Sequence, residues 1–182
     1  EISKMLVSPE PRSKRTVEGD LGVYVNARHV IDHIGEKELR GEFAYFDEIV
    51  GSLSPYPVND EASRFSARLG RYCFETSIRR HAGYIRQMYG PTGRIEVAQG
   101  KDLTAIKSIV GTGGLLSRSR YTRQIIDNAK SLSGNHSKEL LPGPDVRIYR
   151  DRNYIFAAIG LISTVDASLA TDLIDSALEE LQ

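Results

Sequence analysis

IVGTGGLLSRS, residues 109–119, sets three glycines within four positions, directly after a short apolar run and directly before a stretch able to open a helix. A strand that runs into such a turn presents bare backbone amides at the carboxyl edge of a sheet, where open α/β folds place their ligands. Without Cβ atoms, Gly111, Gly113 and Gly114 let a flat group come close. A phosphate, a sugar, an adenine ring or merely the next layer of the fold are the candidates for what fills that space. Two phosphate cradles fail on the residues present. The dinucleotide fingerprint G-x-G-x-x-G needs a glycine where Leu116 stands, with an acid at the end of a following strand, and the P-loop needs G-K-[ST] in a stretch that contains no lysine. What remains is a strand, a glycine pair and a small polar residue, a pattern that a plain strand-to-helix turn also satisfies.

Outward from that turn, hydrophobic spacing divides the chain. Leu21, Val25, Val30, Ile31 and Ile34 fall near helical spacing and predict a helix over 21–34, stopped at Gly35. A loop-rich passage with Gly51, Pro55 and Pro57 then leads to Asn59 or Asp60 as an N-cap. From Glu61 to Tyr89 turn signals are sparse, which predicts one long helix, or two in line bent near Gly70 or Gly83, ended by Pro91 and Gly93. Arg94 to Ala98 and Asp145 to Tyr149 alternate as strands, and Ala105 to Val110 is a short run ending at the glycines. Tyr121 to Leu132 reads as a helix stopped by Gly134-Asn135, and Tyr154 to Val165 and Leu169 to Leu181 read as two more. Strands alternating with helices favour a largely parallel sheet with helices packed on it.

Composition narrows the class. With 182 residues, 40% hydrophobic and 26% charged, the chain can build one sizeable core or two small lobes. Its 24 basic and 24 acidic residues cancel, so no global field draws it to nucleic acid or an anionic membrane. The clusters Arg12-Lys14-Arg15 and Arg118-Arg120-Arg123 are short, and neither nucleic acid nor membrane is expected as a partner. One cysteine, Cys73, suits a reducing cytoplasm and excludes a disulfide scaffold. The chain begins without Met on a segment, Ile2 to Val7, that already reads as a strand, so it is expected to be part of a longer protein.

Four separated blocks carry a resemblance that covers nearly the whole chain. KRTVEGDLGVYVNARHVIDHIG, RRHAGYI, GKDLTAIKSIVGTGGLLSRS and ELLPGPDVRIYRDRNYIFAAIGLIS, in this order and spacing, resemble the C-terminal part of the glutamate mutase MutL family, also called GlmL and unrelated to the mismatch-repair protein of that name. The resemblance implies the second lobe of an actin-like ATPase, a ribonuclease-H-like α/β fold with a mixed sheet, packed helices and a helical insertion. Residues 1–34 would open that α/β lobe, 35–92 would form a mainly helical inserted subdomain, and 93–182 would complete the lobe with its adenosine-type glycine turn. The implied role is that of an accessory or reactivating chaperone for an adenosylcobalamin-dependent amino-acid mutase. Its cofactor would be ATP or ADP, with Mg2+ in the full-length protein, and cobalamin would enter only through the partner enzyme. Expected partners are the mutase subunits and the N-terminal half of the same protein. The family's D-x-G-x-T-type phosphate loops do not occur in these residues, so the chain by itself is expected to be inert toward ATP.

Under that resemblance Gly111, Thr112, Gly113 and Gly114 are the backbone that meets the nucleoside, with Ser117 and Arg118 reaching ribose or base. Glu18, Gly19 and Asp20, in VEGDLG, sit at the entrance of the first helix, where capping and the macrodipole also explain acids. Arg79 and Arg80, beside His81, stand where a guanidinium can stack on adenine or simply face solvent. His29 and His33 are four apart on a helix, but no third or fourth ligand accompanies them, so no metal site is assigned. No G-x-S-x-G elbow or cysteine-histidine pair marks a nucleophile, and no catalytic residue is assigned. Two other functions share these features: a lobe of a small-molecule kinase, whose aspartate base lies in the other lobe, and a partner-binding module in which the glycines are structural.

Overall fold

The computed structural model describes residues 17–90, 93–131 and 138–181. The strand expected over Ile2–Val7, the cluster Arg12-Lys14-Arg15 and the stop at Gly134-Asn135 lie outside the described residues. The fold is mixed α/β. It opens with irregular turns over 17–26 and four helices, α1 (Ala27–Ile34), α2 (Glu36–Glu42), α3 (Phe46–Gly51) and α4 (Asp60–His81). The first helix thus starts at Ala27 rather than Leu21, and the passage read as loop-rich holds two short helices.

Helical spacing builds the main core. Ala27, Val30 and Ile31 share the inner stripe of α1 and pack with Leu39, Phe43, Phe46, Ile49, Phe65 and Leu69, all buried. Phe65 stands at the centre, met edge-on by Phe43 and Phe46 at centroid distances of 5.1 and 6.0 Å. The segment predicted as the start of an α/β lobe and the helices after it therefore bury one common cluster. Asn59 caps α4 by accepting a hydrogen bond from the Ala62 amide at 2.8 Å. Asp60 and Glu61 in its first turn, and Arg79, Arg80 and His81 in its last, complement the helix dipole.

α4 runs through Gly70 and ends at His81, not at Tyr89. Gly70 sits under a neighbour: a Cβ there would lie 2.3 Å from Leu115 Cδ2. Gly83 is the true break. Its amide donates to the Lys101 carbonyl at 2.6 Å, and a Cβ would lie 2.5 Å from the Gln99 carbonyl oxygen, so only glycine lets the strands meet here. The next seven residues form β1 (Tyr84–Gly90), paired antiparallel with β2 (Gly93–Gln99) from Tyr84↔Gln99 to Gly90↔Gly93. Cross-strand pairing of Tyr, Ile and Met with their partners outweighs the weak helical stripe seen in the sequence.

A second sheet of three strands is ordered β3-β4-β5 (Ser108–Gly111, Arg147–Asp151, Leu178–Glu180). β3 and β4 are parallel, β4 and β5 antiparallel, so the sheet is mixed, as the family resemblance implies, and not largely parallel, as the alternation of strands and helices by itself suggests. Between β3 and β4 lie α5 (Gly114–Arg118) and α6 (Thr122–Ser131), and α6 buries Ile125 and Ile126. α7 (Phe156–Ile162) begins after Tyr154, whose φ of 55° ends the preceding turn, and α8 (Ala167–Ala177) gives way to β5 where one helix to Leu181 was expected. Arg150 draws the chain back to the sheet by pairing with Glu179 at 2.9 Å.

Candidate functional site

The three glycines of the turn sit in three different settings. Gly111 ends β3 inside the fold, where a Cβ would come 3.0 Å from Ile126 Cδ1 and 3.2 Å from Leu116 Cβ, so its smallness serves internal packing. Gly113 has φ +91°, a left-handed backbone that side chains disfavour. Gly114 has neither constraint: nothing lies within 4 Å of a Cβ built there, and the residue opens onto a cleft. Thr112 is exposed, and its Oγ1 donates to Asp151 Oδ2 at 2.9 Å.

That cleft has a volume of about 700 Å³. Gly114, Leu115 and Arg118 of α5 form one wall, and the 54–58 loop carrying Tyr56 forms another. Ser63 and the buried Ser66 of α4 and Tyr24 of the 17–26 segment also line it. The Arg118 guanidinium stands 5.5 Å from the Tyr56 ring centroid, a cation–π contact that joins two of the walls. At the rim, Asp60 accepts from the Tyr121 hydroxyl at 2.9 Å and pairs with Arg120. The lining is therefore largely aromatic and apolar, with serine hydroxyls and the guanidinium groups of Arg118 and Arg120 among it.

Of the residues expected to meet a nucleotide, Gly114 and Arg118 line this cleft. Ser117 is buried, and its hydroxyl has no hydrogen-bond partner among the described residues. Glu18, Asp20 and Arg80 meet at the opposite end of α4. Arg80 pairs with Glu18 at 2.6 Å and with Asp20 at 2.8 Å, while Gly19 accepts from Asn26 Nδ2. The acids thus secure the 17–26 segment to α4 and cap no helix. Hydrogen bonding to Arg80, opposed by slight desolvation, lowers the Asp20 carboxyl to about 2. Arg79 pairs with Glu139. Arg80 lies 14 residues beyond Ser66 on one helix, about 21 Å at 1.5 Å per residue, so this ion cluster and the cleft lining at Ser66 are separate places.

The remaining candidates are accounted for locally. His33 stacks on Tyr72 at 6.2 Å, and among the described residues no group of three His, Cys, Asp or Glu side chains stands close enough to hold a metal. Burial pushes the Cys73 thiol up to about 11, which leaves it protonated and unreactive at neutral pH. Arg123 is engaged with Asp127 and the Leu181 carbonyl. Among the described residues no helix is long and apolar enough to cross a membrane. Sequence reasoning missed Tyr24, Tyr56, Asp60 and Ser66. Its usable signal was a tyrosine held between Pro55 and Pro57 just before a helix N-cap.

No solved structure matches the chain. It is 32% identical to Protein MutL of Clostridium tetanomorphum; the match covers 93% of this chain and 36% of that relative, so the chain spans about a third of the relative's length. The MutL protein family model matches residues 1–178. With four blocks of its sequence and nearly its whole length in agreement, this chain belongs to the MutL protein family.

Proposed function

We propose that the cleft beside Gly114 is the adenosine side of a nucleotide site, within the second lobe of an actin-like ATPase that serves an adenosylcobalamin-dependent amino-acid mutase. The observation that carries this reading is the open face of Gly114 on a cleft of about 700 Å³, within the roughly 300–1,000 Å³ range of small-molecule sites. The residues around it suit a purine nucleoside: Tyr24 and Tyr56 offer aromatic faces, Arg118 a planar cation, and Ser63 and Ser66 short hydroxyls. ATP or ADP would be held here by base and ribose, its phosphates and Mg2+ reaching loops supplied by the rest of the full-length protein. The mutase and the cobalamin it carries are then partners of that whole protein.

Gly114→Leu tests the reading, because the position has no internal contact to disturb and a leucine there fills the cleft. In the full-length protein, calorimetry is expected to show ATP and ADP binding that Gly114→Leu weakens by a hundredfold or more, with the thermal midpoint unchanged. Equal affinity in both proteins, or no nucleotide binding by either, refutes it.

A further inference from the structure

Asp151 closes β4 as a fully buried carboxylate that bonds in two directions. Forward along the chain, it accepts from the Ile155 and Phe156 amides, each at 3.0 Å, at the start of α7. Across the sheet it accepts from the Thr112 hydroxyl at 2.9 Å, and Thr112 is the residue between the two halves of the glycine turn. The backbone holds the turn at its two ends, Gly111 by pairing with Arg150 in the sheet and Gly113 by accepting from the Ser117 amide at 2.9 Å, and Thr112 supplies the side-chain bond between them. Gly113 and Gly114 have no side chains to pack, and both face open space. Two adjacent glycines carry more backbone freedom than any other pair, so whatever anchors their neighbour decides how well the turn is ordered.

We propose that Asp151 is a positioning residue for the glycine turn: by gripping Thr112 it holds the backbone of Gly113 and Gly114 in the form that meets the ligand in the cleft. Anchoring removes conformational freedom before the ligand arrives, and preorganisation of this kind raises affinity without adding a contact. Nucleotide as the ligand rests on the reading of the cleft given above; the ordering of the turn does not.

Thr112→Val separates the two, since valine keeps the shape of threonine, loses the hydroxyl and leaves both α7 amides on Asp151. Glycine-selective relaxation measurements on the protein are expected to show order parameters for Gly113 and Gly114 falling from about 0.85 toward 0.6 in Thr112→Val, with Thr112→Ser restoring them. ATP affinity is expected to fall about tenfold in Thr112→Val and return in Thr112→Ser, while the thermal midpoint stays fixed. Unchanged order parameters overturn the proposal, and so does a mobile turn that binds ATP as tightly as the wild type. A mobile turn in a protein whose wild type binds no nucleotide supports the positioning role and removes the nucleotide reading instead.

Discussion

The helical half around α4 and the α7–α8 hairpin are both helical, yet they are held by different means. Around α4, eight buried side chains from four helices interlock with Phe43 of the α2–α3 link, and Phe43 and Phe46 each meet Phe65 edge-on. The hairpin buries only Ile159, Ala170 and Ala177, two of them alanines, and leaves Leu161 and Val165 more than 70% exposed. Its attachment to the sheet runs through the amides that Asp151 receives and the strand pairing of β5. Apolar burial scales with area removed from water, so the first region is secured by packing and the second by a few polar bonds.

Phe65→Ala is the strongest way to break this contrast. It is expected to cost about 3–5 kcal/mol and to lower the denaturant midpoint for every probe together. Asp151→Ala is next, at about 3 kcal/mol, because it empties a buried position and takes the acceptor from two half-buried amides and the Thr112 hydroxyl; the loss should appear as faster amide exchange across α7. Ile159→Ala is expected to cost about 2 kcal/mol and to raise exchange in α7 and α8 alone. If it instead lowers protection in α1 and α4 equally, the two regions unfold as one and the contrast fails.

Acid sharpens the same point. Burial works to raise the Asp151 carboxyl, but the Phe156 and Ile155 amides and the Thr112 hydroxyl hold it below its ordinary value of 3.8. A lowered folded-state value means that its stabilisation is fully present above 3.8 and is lost as pH falls through that value toward the folded one. Thermal midpoints measured from about pH 5 to about pH 3 should therefore converge between wild type and Asp151→Asn. The smallest effect belongs to Arg80→Ala: its ion pairs with Glu18 and Asp20 are solvent-exposed, so the midpoint should barely move, and less still at high salt.

Periodicity made much of this legible. The inner stripe of α1, the alternation of β2, the span of α6 and the glycine turn all follow from local patterns that tertiary contacts reinforce. Where the sequence misled, a distant partner decided. Tyr84 to Gly90 carries apolar residues that suit a helix, and becomes a strand because β2 lies opposite. Leu178 to Glu180 continues the α8 stripe, and leaves the helix because Tyr149, Arg150 and Asp151 stand in register beside it. The cleft was half visible for the same reason: Gly114 and Arg118 announce themselves locally, whereas Tyr24, Tyr56 and Ser66 come from three separate segments that only folding gathers.

Leu115 rests on the flat back of Gly70 while also lining the cleft. Position 70 is thus a spacer one hydrogen atom thick, lying between the longest helix and the wall that the glycine turn launches. Any thicker residue there must push the Leu115 methyl aside, so a substitution inside the protein reaches a side chain of the cleft lining.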